Sequence, residues 1–167
     1  VAQQVIKLGR FLERADMTTR IIDIHAAVLV PRHQGPEAPA IGRMWMGVLH
    51  SLHAYQMYRR HVAVHVRSAD VVNYLLKDAH FPRAVRRCLD EVENCLAVLP
   101  HNRQPLKLWR VAQRRLDQMR VESLDPALRH EYLDAVQTDI AAVHAEIAGE
   151  YFQRQAEQSA SQRSSDG

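Results

Sequence analysis

The residues of this chain that could carry chemistry are concentrated near its start. Charged side chains recur there at spacings of three and four residues, at Glu13, Asp16, Arg20 and Asp23. These spacings place the four side chains along one side of a helix, and we call them the charged stripe. Carboxylates and guanidinium groups held together form either a structural ion-pair network or a site for a cationic or phosphorylated ligand. The residue types leave both possibilities open.

Apolar positions flank the charged stripe on both sides, so its charges are expected to be semi-buried and paired. Asp16 with Arg20, four residues apart, and Glu13 with Arg10 should form pairs or meet partners from other helices. If the arginines around it are buried, replacing Glu13 with alanine should destabilise the domain by a few kcal/mol, because a charge would lose its partner.

A later turn supplies two more candidates for the same network. Asp78 can cap the turn that leads into Pro82, or it can join the site, and Arg83 can reach across to the carboxylates of the first helix. The complete candidate set, structural or ligand-binding, is Arg10, Glu13, Arg14, Asp16, Arg20, Asp23, Asp78 and Arg83.

Histidines give a weaker signal. His61 and His65 have the four-residue spacing with which two imidazoles share a metal ion on a helix. The glutamate that would follow the first histidine in a zinc protease is missing, and the sequence identifies no third ligand. We therefore expect no metal and no other cofactor. His25, at the apolar end of the first helix, is interpreted as a core histidine.

Cysteine usage indicates a reducing compartment. Cys88 and Cys95 lie two turns apart on one predicted helix, roughly 10 Å along its axis, which is too far for a mutual disulfide. Both lie close to the apolar side of that helix and are expected to be buried. The apolar segment from Ile21 to Val30 is too short to span a membrane. These features predict a cytoplasmic protein that does not insert into membranes.

The basic residues do not predict a nucleic-acid interface. The net charge is +3 and the pI is about 9.1, which is a mild bias. The arginine pairs lie on three different predicted helices, among acids: Arg59-Arg60, Arg86-Arg87 and Arg114-Arg115. We expect them to form a solvated surface of mixed charge and no contact with nucleic acid.

Helical periodicity extends along most of the chain, and no stretch alternates as a strand would. The pattern predicts an all-α bundle of six helices, at about 2–29, 41–61, 69–77, 82–99, 105–122 and 126–152. Ser68 is predicted as an N-cap, and Pro82 and Pro126 as first helical residues. Residues 33–39 are expected to form a loop. The bundle should comprise residues 1–152, followed by a disordered tail at 153–167, which has no aliphatic side chain larger than alanine.

The first helix has more apolar surface than one seam requires. Its core seam runs from Val1 to Leu29, but Met17, Ile21, Ile24 and Val28 lie on the side where a surface helix carries charges. The chain also begins inside a running heptad pattern, with no methionine and no cap, which predicts a piece of a longer protein.

Three stretches together resemble the bacterial alpha-E family, a predicted α-helical domain with a conserved ER motif. They are Leu8–Arg20, which contains Glu13-Arg14, then Tyr74–Leu89, and finally Ile147–Phe152. Full members resemble two related halves in tandem, and this chain is similar to the second half. The resemblance implies a setting beside a circularly permuted ATP-grasp ligase-like protein and hydrolase-like neighbours, and hence a role in peptide synthesis or modification. It implies no catalytic residues.

Two functions follow as hypotheses. The first is a non-catalytic helical partner of the ATP-grasp ligase-like protein, and the second is an enzyme or ligand-binding subunit that uses the charged stripe. A pocket opening onto the stripe would favour the second, and a dry, fully paired network the first. Since the related half would cover part of the apolar surface of the first helix, we also predict a homodimer in which that helix contributes to the contact.

Overall fold

The computed structural model describes residues 2–29, 39–121 and 126–153, and every regular element in these ranges is helical, which confirms the all-α prediction. The elements are α1 Ala2–Leu29, α2 Pro39–Ser51, α3 Tyr55–His61, α4 Ser68–Lys77, α5 Val85–Ala97, α6 Arg103–Gln118 and α7 Pro126–Ala148. A π-helical turn, Gly149–Gln153, continues α7. The predicted loop at 33–39 falls almost entirely outside the described residues, and so do Asp125 and the tail beyond 153.

Helix α1 lies at the centre of the bundle and packs mainly against α5 and α7, while α6 packs against both α7 and α5. The predicted seams form the core. Fully or nearly fully buried are Leu8, Leu12, Ala15 and Ile22 of α1, Leu89, Val92 and Leu96 of α5, and Leu133, Val136, Ile140 and Val143 of α7. Because three long helices share this core, the position of α1 relative to α7 is fixed along most of its length.

The predicted second helix is two helices. His53 has a positive φ of 56°, which ends α2, and the N–H of Ala54 turns back to the carbonyl of Leu49 at 2.7 Å. The break lets Leu52 and Ala54 both enter the core. In an uninterrupted helix, residues two apart point to different sides, so one of these side chains would have faced solvent.

The turn before α5 is longer than predicted. The Asp78 carboxylate accepts hydrogen bonds from the backbone N–H groups of His80, at 2.8 Å, and Phe81, at 2.6 Å. Pro82 lies inside this turn instead of opening the helix, and α5 begins at Val85. The carboxylate therefore fixes the path of the chain between α4 and α5. Capping this turn is one of the two roles predicted for Asp78.

Other boundaries move by up to four residues, and the largest shift is the end of α6, at Gln118 where residue 122 was predicted. Ser68 is the first residue of α4, with Arg67 in the cap position. Both cysteines are buried and free, as predicted. In the described part of the chain no helix is long and apolar enough to cross a membrane.

Candidate functional site

An open groove of about 520 Å³ lies between helices α1 and α7. Leu12 of α1 and Ile140 of α7 form its apolar base. Two small residues leave it open at the sides, Gly9 of α1 and Ala141 of α7, and a methyl group at Gly9 would meet nothing within 4 Å. The groove exists because small residues stand where larger ones would close the contact between the two helices.

Three residues of the charged stripe line this groove. Arg20 donates from Nε to the Asp16 carboxylate at 2.8 Å, which is the predicted pair. That hydrogen bond, and the charge of Asp16, raise the pKa of the Arg20 guanidinium above its ordinary value. Glu13 is exposed and has no ion-pair or hydrogen-bond partner among the described residues. His144 of α7 faces the same space. The groove thus combines one neutralised pair with one free carboxylate.

The charged stripe is less buried than the sequence predicted. Asp16 is half-buried, but Arg10, Glu13 and Arg20 are exposed, and the predicted pair of Glu13 with Arg10 is absent from the described structure. The physical reason is that α7 covers only one flank of the stripe. On the other flank Met17 and Ile24 are exposed, while Ile21 is partly buried and packs against the core.

Asp23 belongs to a separate interaction at the far end of α1. Its carboxylate accepts a hydrogen bond from Nδ1 of His130 on α7, at 2.8 Å. This hydrogen bond, and then the charge of Asp23, raise the pKa of His130 above its ordinary value. Asp23 therefore ties α1 to α7 and does not line the groove.

The arginine of the Glu13-Arg14 pair points towards a different neighbour. Its guanidinium carbon lies 5.7 Å from the centroid of the Phe11 ring, and the residue is half-buried. The Arg14 charge lowers the pKa of the Cys88 thiol. Burial of the thiol outweighs this effect and raises the pKa to about 11. Glu13 and Arg14 thus diverge, one towards the groove and the other towards α5.

The turn residues join α1 through the backbone. Thr18 donates from Oγ1 to the carbonyl oxygen of Arg83 at 2.9 Å, whereas the Arg83 side chain is exposed and reaches no carboxylate within the described residues. Asp78 lies in the turn, where it caps two N–H groups. The eight predicted residues are therefore not one site, because only Glu13, Asp16 and Arg20 meet in the groove.

A second feature of α1 is its outer face, which we define as Ile6, Met17 and Ile24. These side chains are 66%, 53% and 67% exposed. Spacings of eleven and seven residues place them on one side of the helix, opposite the buried seam. Glu13 and Arg20 lie between them along the chain.

Sequence reasoning missed His144. It follows Ile140 by one turn, so its position beside the predicted seam of α7 was a usable signal. Tyr74 opens one of the motif stretches, but the burial of its hydroxyl depends on neighbouring elements and could not be read from that stretch alone. Within the described ranges no three or more His, Cys, Asp and Glu side chains cluster closely enough to hold a metal ion.

Comparison with known families places this arrangement in context. Residues 1–152 match the family described as Alpha-E, a predicted alpha-helical domain with a conserved ER motif, so the chain belongs to that family. The match covers nearly all of the described bundle and includes Glu13-Arg14. No curated protein and no solved structure matches the chain significantly.

Proposed function

We propose that this Alpha-E domain is a non-catalytic helical partner of an ATP-grasp ligase-like protein that synthesises or modifies peptides in the cytoplasm. The family resemblance supports the identity of the partner. The free, buried cysteines are compatible with a reducing compartment. The partner would bind the outer face of α1.

The outer face is the observation that carries this proposal. Single exposed apolar side chains are normal, but here three large ones lie in line over eighteen residues, or about 27 Å of helix. Helix-in-groove recognition uses apolar anchors a few residues apart on one side of a helix, and the seven-residue spacing of Met17 and Ile24 fits that pattern. Glu13 and Arg20 add charges of both signs beside the anchors, which would fix the register of the partner.

Co-purification with the neighbouring ATP-grasp ligase-like protein tests the proposal. Met17→Lys places a charge in the middle of the outer face and should abolish recovery of the complex at moderate salt. Met44→Lys on α2 is a closely matched control, because Met44 is 52% exposed and Met17 is 53% exposed. Equal loss in both variants, or no complex with the parent chain, would contradict the proposal.

A second candidate function is ligand binding in the groove between α1 and α7, and the open space beside Glu13 favours it. The groove lining has two carboxylates and one guanidinium, so its charge favours a cationic ligand over a phosphorylated one. The apolar base at Leu12 and Ile140 would accommodate a flat or aliphatic body.

Benzamidine combines such a body with a cationic group and serves as the probe. In an NMR titration, shifts should centre on Gly9, Ala141 and His144, and Glu13→Gln should weaken binding about tenfold. Glu131→Gln, which removes an exposed carboxylate from α7 outside the groove, should leave the affinity unchanged. Inorganic phosphate binding in preference to benzamidine would contradict the expected charge of the ligand.

The outer face also bears on the isolated chain, for which we propose a twofold homodimer. If two α1 helices pack antiparallel about a point between Asp16 and Met17, Glu13 lies opposite Arg20 of the second copy. This register makes the contact between the two copies complementary in charge at these two positions. Light scattering tests it. A 19.1 kDa particle at high concentration would exclude the dimer, and Met17→Lys should produce that monomer.

A further inference from the structure

A second cleft, of about 400 Å³, lies beside α4. Helix α4 lines it with Asp70, Asn73, Tyr74 and Lys77, and the following turn contributes Asp78 and His80. It shares no residue with the groove between α1 and α7 or with the outer face of α1.

Tyr74 is the unusual residue of this cleft. It is only 3% exposed, and its ring stacks on Phe81 and meets Tyr58 edge-on, at centroid distances of 5.3 and 5.4 Å. Its hydroxyl is buried and has no hydrogen-bond partner within the described structure. Burial, and then the charge of Asp78, raise the pKa of Tyr74, so the hydroxyl stays protonated at neutral pH. A buried hydroxyl without a partner is costly, so a ligand group that hydrogen-bonds to it gains that free energy on binding.

The cleft also contains hydrogen-bond acceptors that receive no hydrogen bond from the described residues. One oxygen of Asp78 receives two backbone N–H groups, while its other oxygen, Oδ2, receives no hydrogen bond from the described residues. Asp70 has only a loose contact with the exposed Arg67, at 3.9 Å. The Lys77 ammonium, which could neutralise these carboxylates, instead donates to the carbonyl oxygens of Asp117 and Met119. Hydrogen-bond acceptors and negative charge therefore exceed donors and positive charge.

We propose that this cleft binds a primary ammonium group, which donates to the Tyr74 hydroxyl oxygen and to Oδ2 of Asp78. The amide oxygen of Asn73, an exposed residue of α4 that also lines the cleft, supplies a third acceptor. Asp70 lies eight residues before Asp78, about 12 Å along the helix, and keeps the rest of the cleft negative. An ammonium group carries three donors and matches this set, whereas the two carboxylates repel an anion.

An NMR titration with two amines tests the proposal and distinguishes the sources of the ammonium group. The probes are n-butylamine, for a free small amine, and Nα-acetyl-lysine methylamide, for a lysine side chain within a peptide. The analogue that is also acetylated at Nε serves as the uncharged control. Both amines should shift the backbone signals of Asn73, His80 and Phe81, and the uncharged analogue should not. Tighter binding of the lysine derivative identifies a peptide as the source, and equal binding identifies a free amine.

Two variants test the named contacts without removing the fold. Tyr74→Phe keeps the ring packing and removes only the hydroxyl. Asp78→Asn keeps an oxygen for the backbone N–H groups and removes the charge. Each should weaken amine binding about tenfold, while Asp134→Asn on the exposed side of α7 should not change it.

Unliganded spectra of the variants establish that each one folds. No shifts with either amine at about 20 mM, or unchanged affinity in both well-folded variants, would overturn the assignment. The same holds if the uncharged analogue binds as well as the amines. Because the outer face of α1 lies elsewhere, loss of amine binding and loss of the protein partner are separate results.

Discussion

The two long motif stretches of this chain use similar residue types in opposite ways. In Leu8–Arg20 the charges of Glu13 and Arg20 are exposed, beside an open groove and an uncovered apolar face. In Tyr74–Leu89 the carboxylate of Asp78 caps a turn. The first stretch makes few internal interactions with its charges, and the second makes several. A long motif can therefore mark an exposed surface in one part of the chain and a structural connection between helices in another.

Asp78→Ala should have the largest effect on stability, because it removes the acceptor of two turn hydrogen bonds at once, one of them partly buried. We expect a loss of about 2 kcal/mol in the free energy of unfolding, measured by urea denaturation. Asp78→Asn should recover most of it, since an amide oxygen accepts the same bonds. If Asp78→Ala unfolds at the parent midpoint, the turn does not depend on this carboxylate and the contrast between the two stretches fails.

Thr18→Val tests the hydrogen bond that connects the two stretches. It keeps the shape of the side chain and removes the hydrogen bond from Oγ1 to the Arg83 carbonyl, which leaves that oxygen without a donor. A loss of about 1 kcal/mol is expected in the same denaturation experiment. Thr138→Val, at an exposed position on α7, is the control and should stay within about 0.5 kcal/mol of the parent.

The sequence predicted the helices better than the turns and breaks that connect them. Seams such as Leu133, Val136 and Ile140 were predictable because burial imposes a period of 3.6 residues on the chain. The break at His53 was not, because its positive φ follows from the need to bury both Leu52 and Ala54, which no local preference records.

The candidate site was predicted only in part, for a similar reason. Helical spacing was enough to pair Asp16 with Arg20. The exposure of Glu13 could not be read from its apolar neighbours, because Met17 and Ile24 are themselves uncovered. The groove depends on how Gly9 lies against α7, and the importance of Tyr74 depends on an absent hydrogen bond. Both are properties of assembled helices and have no signature in one segment.

The pair of His130 with Asp23 gives a smaller, pH-dependent prediction. The folded-state pKa of His130 is raised above the ordinary value of 6.5, so protonation favours the folded state. This contribution is fully present below pH 6.5 and is lost as the pH rises through the raised folded value. Melting temperatures measured from pH 5.5 to about 8.5 should therefore fall with a component that His130→Gln and Asp23→Asn both remove. An unchanged pH profile in either variant would show that the contact is not maintained in solution.

Glu13→Ala should have the smallest effect on stability and tests the contrast most directly. Had the charged stripe been buried, this change would cost a few kcal/mol, but Glu13 is exposed and has no partner within the described structure, so a change within about 0.5 kcal/mol is expected. Thermal melts and recovery of the ATP-grasp complex should be measured on the same preparations. Parent-like melting with loss of the complex would identify Glu13 as part of a binding surface. A large fall in melting temperature would instead mean that a second copy or another segment covers Glu13, and that the first stretch is a structural connection like the second.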